Sequence, residues 1–273
     1  MRAVLRLLGV AGATLLAYGS ILLALPFLFA LPRARARWQD LWMWTWSRML
    51  LALFAVRVRV VGTPPARPAV LASNHLSYLD IPLLGAFAPC VFVAKGEIGG
   101  WPFAGAVCRA VNTVFIDRTL KRDIPRSLEA IAGLVARGQR VVVFPEATSS
   151  SGARVLPFRS ALLELPLCLG LPVHPVAISY ATSDDVPPAY LTICWWGSMP
   201  LAPHVWELAA LDRIEATLVF GPPESGGGDR KTVAARLQSA VAAAFKPMPQ
   251  PAWPEDDGKG EGAANGLDPE GEP

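Results

Sequence analysis

The chain divides into three regions by its pattern of apolar and polar positions. Leu7 to Pro32 contains no charged residue, and as a helix these 26 residues would extend about 39 Å, enough to cross the hydrocarbon core of a bilayer. Short apolar runs then alternate with amphipathic stretches, before Pro, Gly and acidic residues dominate the C-terminus. The pattern predicts N-terminal membrane-anchor helices over 1–60, a globular domain over 61–246, and a disordered acidic tail over 247–273.

Arginines flank the first apolar stretch on both sides. Arg2 and Arg6 precede it, and Arg33, Arg35 and Arg37 follow it. A cleaved secretory signal is the alternative, but this apolar run is longer than a usual signal core and arginines follow it at once. The arginines give a small bias toward a cytoplasmic location for the C-terminal side.

A tryptophan-rich stretch, Trp38 to Val56, follows the arginines. Four tryptophans lie within nine residues, and such rings are at home at the head-group boundary of a membrane. A second span is one interpretation, but Arg48 in the middle favours an interfacial or re-entrant helix. A core helix of the globular domain is the alternative.

The globular region alternates strand-like and helix-like segments. The clearest helices are Pro125 to Arg137, which Gly138 ends, and Arg230 to Phe245, for which Asp229 is the expected N-cap. This alternation predicts an α/β fold: a mostly parallel central sheet flanked by helices, with the N-terminal helical membrane anchor attached. The predicted strands cover 57–61, 69–73, 90–94, 113–117, 140–144, 173–178, 190–195 and 214–220.

Composition and charge favour a membrane partner. Apolar residues make up 52% of the chain and charged residues only 17%. Residues 1–67 carry nine arginines against one acid, a net charge of +8, whereas residues 247–273 carry seven acids and one lysine, a net charge of −6. A basic flank beside an apolar anchor suits anionic lipid head groups. No RNA-binding motif or recognition-helix pattern is present, so we expect no nucleic-acid partner. The four cysteines have no framework or metal spacing, which indicates buried thiols in a reducing compartment.

The candidate chemistry lies between a short apolar run and a helix-compatible segment. His75 can take a proton from a hydroxyl near neutral pH, and Asp80 can orient its ring and stabilise the imidazolium. Five residues on one helix would separate the two side chains by about 140°. The pair therefore requires His75 in the turn and Asp80 in the first helical turn. The chain has two other histidines: we interpret His174 as a core or structural residue, and the stretch around His204 as a site of packing or membrane contact.

Four blocks in order resemble the motifs of the glycerolipid acyltransferases, of the 1-acylglycerol-3-phosphate acyltransferase type. The resemblance covers roughly residues 68–200. The blocks are Asn74-His75-x4-Asp80, Val114 to Arg118, Phe144 to Ser149, and Leu171 to Ala177.

The resemblance implies substrate-binding roles for residues outside the first block. It gives Arg118 to the acceptor's phosphate, although a salt bridge with Asp117 is the alternative from the residues alone. It makes Glu146 an acceptor-binding residue, and Thr148 and Arg159 supply further polar contacts. We predict no metal and no cofactor, since the implied chemistry is base catalysis by His75 on the acceptor hydroxyl.

The third block departs from the common Phe-Pro-Glu-Gly-Thr-Arg-Ser form. Ala147 stands in the place of Gly, and alanine adopts a positive φ less cheaply. Ser149 stands in the place of Arg, which removes one expected phosphate contact. Relatives that act on lyso-ornithine lipids have similar Thr/Ser-rich forms.

The resemblance therefore implies a membrane-bound O-acyltransferase of phospholipid synthesis, with its active site on the cytoplasmic face of a bacterial inner membrane. The expected partners are a lysolipid acceptor, acyl-coenzyme A or acyl carrier protein as donor, and the bilayer. 1-Acylglycerol-3-phosphate (lysophosphatidic acid) is the first expected acceptor, and lyso-ornithine lipid is the alternative. A serine hydrolase is disfavoured because no Gly-x-Ser-x-Gly turn is present. A non-enzymatic membrane protein on the same scaffold is the remaining alternative.

Overall fold

Seven strands form one mostly parallel sheet, and helices flank it. The structure, a computed structural model, describes residues 1–101, 104–111, 113–116, 123–164, 167, 170–183, 186–224 and 228–250. The strands are β1 (Val56–Val61), β2 (Ala69–Ser73), β3 (Val91–Lys95), β4 (Val114–Ile116), β5 (Arg140–Val143), β6 (Val173–Ala181) and β7 (Ile214–Phe220). The helices are α1 (Arg2–Leu28), α2 (Pro32–Leu53), α3 (Asp80–Phe87), α4 (Ala104–Ala110), α5 (Asp123–Ala136), α6 (Ala189–Thr192), α7 (Leu201–Ala210) and α8 (Arg230–Ala244), with short 3-10 turns at Gly96–Gly100 and Ser160–Leu162.

The sheet order is β1-β7-β6-β2-β5-β3-β4. Only the β6–β7 pair is antiparallel among the pairs in the described residues. Strand β2 lies in the middle and is parallel to both β5 and β6, so the carboxyl ends of these three strands meet at one edge. Open α/β sheets place their sites at that edge. The predicted fold class is confirmed.

Most predicted elements of the globular region appear within a few residues of their expected positions. Asp229 caps α8 as expected, because its carboxylate accepts a hydrogen bond of 2.8 Å from the Thr232 N–H. The strand predicted over 190–195 is wrong: residues Ala189–Thr192 form the short helix α6. Pro188 stands at its N-cap, and its carbonyl accepts from the Thr192 N–H, which starts a helical turn.

Helix α1 packs on the domain through its small residues. Ala13, Ala17 and Ile21 are buried, whereas the outer face exposes large apolar side chains. At the N-terminal end, Arg6 donates to the carbonyl oxygens of Ala209 and Leu211 at the end of α7. Among the described residues α1 is the one helix long and apolar enough to cross a membrane. The exposed apolar residues of α1 are Val4, Leu5, Leu8, Leu15, Leu16, Leu22, Leu23 and Phe27.

Helix α2 has one face on the domain and one face exposed. It approaches α3 so closely that a Cβ added at Gly85 would lie 2.2 Å from the Ser47 Oγ atom. Asp40 of α2 is buried and paired with Arg67. Trp44 is exposed on the other side. Helix α2 therefore packs on the core with one face and exposes Trp44 on the other. Its location at the membrane interface stays a prediction.

The first residues of the predicted tail pack on the domain. Met248 is buried, and its N–H donates to the Gly152 carbonyl oxygen at 2.9 Å. Gln250 donates to the Ser151 carbonyl oxygen at 3.0 Å. The predicted disorder from residue 247 therefore does not describe residues 247–250. Residues 251–273 lie outside the described residues, and their disorder stays a prediction.

Candidate active site

His75 and Asp80 meet in the turn between β2 and α3. His75 follows the end of β2, and Asp80 is the first residue of α3. The His75 Nδ1 and Asp80 Oδ2 atoms are 2.8 Å apart. Asp80 is fully buried, whereas the His75 side chain keeps 24% of its exposure. Because His75 lies in the turn and Asp80 in the first turn of α3, the two side chains can meet, which they could not do on one regular helix.

The Asp80 carboxylate accepts four hydrogen bonds. Oδ2 accepts from His75 Nδ1 and from the N–H groups of Leu76 and Ser77 at 2.7 and 3.1 Å, and Oδ1 accepts from the Tyr180 hydroxyl at 2.7 Å. Four donors stabilise an ionised carboxylate in a dry site. An ionised Asp80 can only accept, so His75 Nδ1 carries the proton and Nε2 is the basic nitrogen.

Phe144 fixes the plane of the imidazole. The rings of His75 and Phe144 stack with centroids 4.1 Å apart and planes inclined by 21°. Phe92 lies behind Phe144, with centroids 6.1 Å apart. Because Phe144 directly follows β5, the strand beside β2 positions the ring of the proposed base.

Glu146 is buried and contacts the backbone on both sides of the site. Its Oε2 atom accepts from the His75 N–H at 3.3 Å, and its Oε1 atom accepts from the Leu156 N–H at 3.1 Å. The carboxylate therefore joins the His75 turn to the 155–158 segment. The structure places Glu146 beside His75 and occupies both of its oxygens with backbone donors, and its predicted acceptor-binding role stays a prediction.

The loop after Glu146 turns sharply. Ala147 has φ of +66°, the left-handed conformation usually given to glycine. Ser149 donates to the Trp195 carbonyl oxygen, and the Ser150 N–H donates to the His75 carbonyl oxygen at 3.0 Å. The loop therefore keeps a backbone conformation that Ala147 does not favour. Ser149, at the position of the usual arginine, forms its hydrogen bond within the protein.

The remaining predicted binding residues are placed differently. Thr148 is exposed, and its hydroxyl contacts the Ser149 carbonyl oxygen at 3.4 Å. Arg159 is exposed, while its N–H donates to the Pro145 carbonyl oxygen at 2.9 Å, next to Glu146. Arg118, with Asp117, lies outside the described residues, so its role stays a prediction. In the part of the chain that the structure describes, no group of three or more His, Cys, Asp or Glu side chains is arranged to hold a metal.

An apolar cavity of about 320 Å³ opens beside His75. Its walls come from α1, α2, α4 and the β3 region, and His75 and Tyr78 line it on the side of the turn between β2 and α3. The walls carry few polar atoms, so the space suits a hydrocarbon chain. Apolar residues lining the cavity include Ala17, Ile21, Trp42, Trp46, Ile98 and Val107.

Several contacts at the site were not predicted. Tyr180 lies on β6, 100 residues beyond Asp80, and nothing in its local sequence distinguishes it from a core tyrosine. The Tyr78 hydroxyl donates to His204 Nδ1 at 3.1 Å, because His204 Nε2 donates to the Cys194 carbonyl oxygen at 2.9 Å. Burial lowers the pKa of His204, which fits its neutral form in this chain of hydrogen bonds. Its burial and these contacts place His204 in the packing of the domain, and the structural role of His174 stays a prediction.

Comparison with known proteins identifies related sequences and one related fold. A family model described as "Acyltransferase" matches residues 57–179. A lyso-ornithine lipid O-acyltransferase of Pseudomonas aeruginosa is 35% identical over 201 residues, which cover 73% of this chain and 76% of the relative. A 1-acyl-sn-glycerol-3-phosphate acyltransferase of Neisseria meningitidis serogroup B is 39% identical over 136 residues, 49% of this chain and 53% of the relative.

The crystal structure of the 1-acyl-sn-glycerophosphate (LPA) acyltransferase PlsC from Thermotoga maritima has the same fold. It superimposes with a TM-score of 0.61 at 21% identity, over 89% of this chain and 96% of that chain. At this identity the likeness supports the architecture of the sheet and its helices.

Proposed function

The chain belongs to the acyltransferase family, and on this premise we propose that it transfers an acyl chain from an acyl thioester to the free hydroxyl of a lysolipid. The single observation that carries the proposal is the His75–Asp80 pair beside an apolar cavity. A base that faces a space for hydrocarbon suits a hydroxyl and a thioester that both carry acyl chains.

The proposed reaction is one direct acyl transfer. His75 Nε2 takes the proton of the acceptor hydroxyl while that oxygen attacks the thioester carbonyl carbon. The C–S bond breaks as the new C–O ester bond forms, and the imidazolium returns its proton to the leaving thiolate. Asp80 holds the Nδ1 proton and stabilises the transient imidazolium, a contribution typically worth about 10²–10⁴-fold in rate.

We place lyso-ornithine lipid first among the acceptors and 1-acylglycerol-3-phosphate second. This order reverses the one predicted from the sequence. Relatives named for lyso-ornithine lipid match about three quarters of their own length, whereas the Neisseria relative named for the phosphate acceptor matches about half. The bond from Ser149 to the Trp195 carbonyl supports the new order, because this position supplies no cation for a phosphate.

We further propose that the outer face of α1 lies against the bilayer. This face exposes Leu15, Leu16 and Leu23, while the inner face of the same helix lines the cavity through Ala17 and Ile21. A lipid chain that leaves the membrane beside α1 therefore has a short apolar route to His75. The location in an inner membrane with a cytoplasmic active site remains part of the proposal.

The test offers the detergent-purified protein labelled acyl-acyl carrier protein and acyl-coenzyme A, each with lyso-ornithine lipid and with 1-acylglycerol-3-phosphate. We expect labelled diacyl product from lyso-ornithine lipid and at least a 100-fold loss in His75→Ala, which removes the base. Product from 1-acylglycerol-3-phosphate alone would leave the mechanism in place and make this lipid the first acceptor. Transfer to neither lipid, or an active His75→Ala, would contradict the proposal.

A further inference from the structure

A tyrosine far from the catalytic motif in sequence lies in contact with its carboxylate. Tyr180 stands near the end of β6, and its hydroxyl oxygen is 2.7 Å from Asp80 Oδ1. Both side chains are buried, Asp80 at 0% exposure and Tyr180 at 4%. The contact is to the carboxylate oxygen that His75 does not contact.

The two carboxylate oxygens of Asp80 have different surroundings. Oδ2 faces His75 Nδ1 and two backbone N–H groups of its own turn. Within the part of the chain that the structure describes, the one hydrogen bond to Oδ1 comes from Tyr180. Without it, one oxygen of a fully buried carboxylate would lose its partner, and unsatisfied charged groups in a dry site are costly.

The direction of this hydrogen bond is fixed by chemistry. An ionised carboxylate has no proton to give, so the phenol donates. Burial raises the pKa of Tyr180 well above its ordinary value, and the nearby Asp80 charge raises it further. The phenol therefore stays protonated throughout the range in which an imidazole titrates.

We infer that Tyr180 is a positioning residue that sets the basicity of His75 through Asp80. Its hydroxyl withdraws part of the negative charge toward Oδ1 and holds the carboxylate so that Oδ2 faces the imidazole. Less charge on Oδ2 means weaker stabilisation of the imidazolium, so Tyr180 limits the basicity of His75 Nε2. The inference rests on the proposed role of His75 as the base.

The other titratable groups at the pair are few. Cys194 approaches Asp80 from the segment after α6, and burial, with the Asp80 charge, raises the pKa of its thiol well above the ordinary value, so it is neutral. Glu146 approaches His75 from the loop after β5 through the backbone N–H. Among the described residues, Tyr180 is therefore the side chain, apart from His75 itself, whose change acts most directly on the Asp80 charge.

The test uses the three histidines of the chain, which give three imidazole signals in the full-length protein labelled with ¹⁵N-histidine in detergent micelles. The His75 signal is assigned by its absence in His75→Ala. In Tyr180→Phe we expect the titration midpoint of His75 to rise by about half to one pH unit, because the Asp80 charge is concentrated on Oδ2. The His174 and His204 signals should keep their midpoints.

Tyr190→Phe is the matched control. It removes a phenol hydroxyl from another buried tyrosine, on α6, that does not contact Asp80. Its His75 midpoint should equal that of the unmodified protein. A purely structural role for Tyr180 would lower the amount of folded protein and leave the midpoint where it was, and an unmoved midpoint in folded Tyr180→Phe overturns the inference.

Site-specific 3-fluorotyrosine at position 180 supplies the second test and guards against misfolding of the phenylalanine variant. The fluorinated phenol is a stronger donor of nearly the same shape, so the His75 midpoint should fall. A midpoint that rises or stays fixed counts against the inference. The readout needs no turnover, so loss of the proposed acyl transfer and loss of this inference are distinguishable.

Discussion

The loops that follow β2 and β5 leave the same edge of the sheet and differ in how closely they keep the motifs of the glycerolipid acyltransferases. The β2 loop keeps its His and Asp, and its donors converge on Asp80. The β5 loop replaces the usual Gly and Arg by Ala147 and Ser149, and keeps the backbone turn. Hydrogen bonds therefore hold the proposed base, His75, and its partner Asp80 in one arrangement, whereas the neighbouring β5 loop departs from the common side chains and keeps its turn.

The two loops also differ in the acceptors of their hydrogen bonds. Hydrogen bonds of the β2 loop converge on the Asp80 carboxylate, whereas the Ser149 hydroxyl of the β5 loop donates to the Trp195 carbonyl oxygen. Trp195 in turn donates its N–H to the Leu76 carbonyl oxygen at 2.9 Å, inside the β2 loop. The β5 loop therefore contacts the turn that holds His75 and Asp80 from outside.

Asp80→Asn should have the largest effect, because it removes the charge on which the β2 loop converges. We expect kcat to fall by about 10²–10⁴-fold, since neutral asparagine does not stabilise the imidazolium. The measurement is initial rate with saturating donor and acceptor. Asp229→Asn is the control, because asparagine caps α8 as well as aspartate does. An Asp80→Asn enzyme with more than a third of the normal kcat would contradict the catalytic role of the pair.

Glu146→Gln should have the next largest effect, because it breaks the link between the two loops. A glutamine places its NH₂ group against one of the two backbone donors, His75 N–H or Leu156 N–H. Loss of that bond in a buried site should cost roughly 1–3 kcal/mol, or about 3–10 °C in Tm. We expect kcat to fall about tenfold, measured beside the thermal melt.

Glu164→Gln is the matched control for that change. Glu164 forms a partly exposed ion pair with Arg230, and such pairs contribute little. Its Tm and kcat should stay close to those of the unmodified protein. Equal effects of the two substitutions would show that Glu146 acts as an ordinary surface carboxylate, against the geometry of the site.

The sequence predicts those features of the two loops that depend on residues near one another in the chain. The apolar runs predict β2 and β5, and the parallel pairing of these strands in the structure brings His75, Asp80 and Glu146 to one edge. Tyr180 and Trp195 were not expected, because their contacts depend on the register of β6 and the path of the segment after α6. The prediction of a strand over 190–195 is also wrong because of distant parts of the chain. An apolar run does not reveal whether the sheet has a free edge with which it can pair.

Ser149→Ala should have a smaller effect than either carboxylate change. It removes the bond to the Trp195 carbonyl, worth about 1 kcal/mol, and loosens the segment that lines the cavity beside Tyr78. We expect KM for the acceptor to rise about two- to fivefold with kcat nearly constant. Ser198→Ala, at an exposed position in the same segment, is the control and should change neither constant. A fall in kcat with KM unchanged would place Ser149 in the chemical step.

Ala147→Gly should have the smallest effect and the opposite sign in stability. Ala147 holds φ of +66°, which glycine adopts without the steric cost of a Cβ, while glycine adds entropy to the unfolded chain. The two terms nearly offset, so we expect Tm to rise by about 0–3 °C, with kcat unchanged. Ala235→Gly, at an exposed position inside α8, is the same substitution in a helix and should lower stability by about 0.5–1 kcal/mol. If both variants lose stability equally, the alanine carries no conformational cost in this loop, and the β5 loop departs from the common motif without strain.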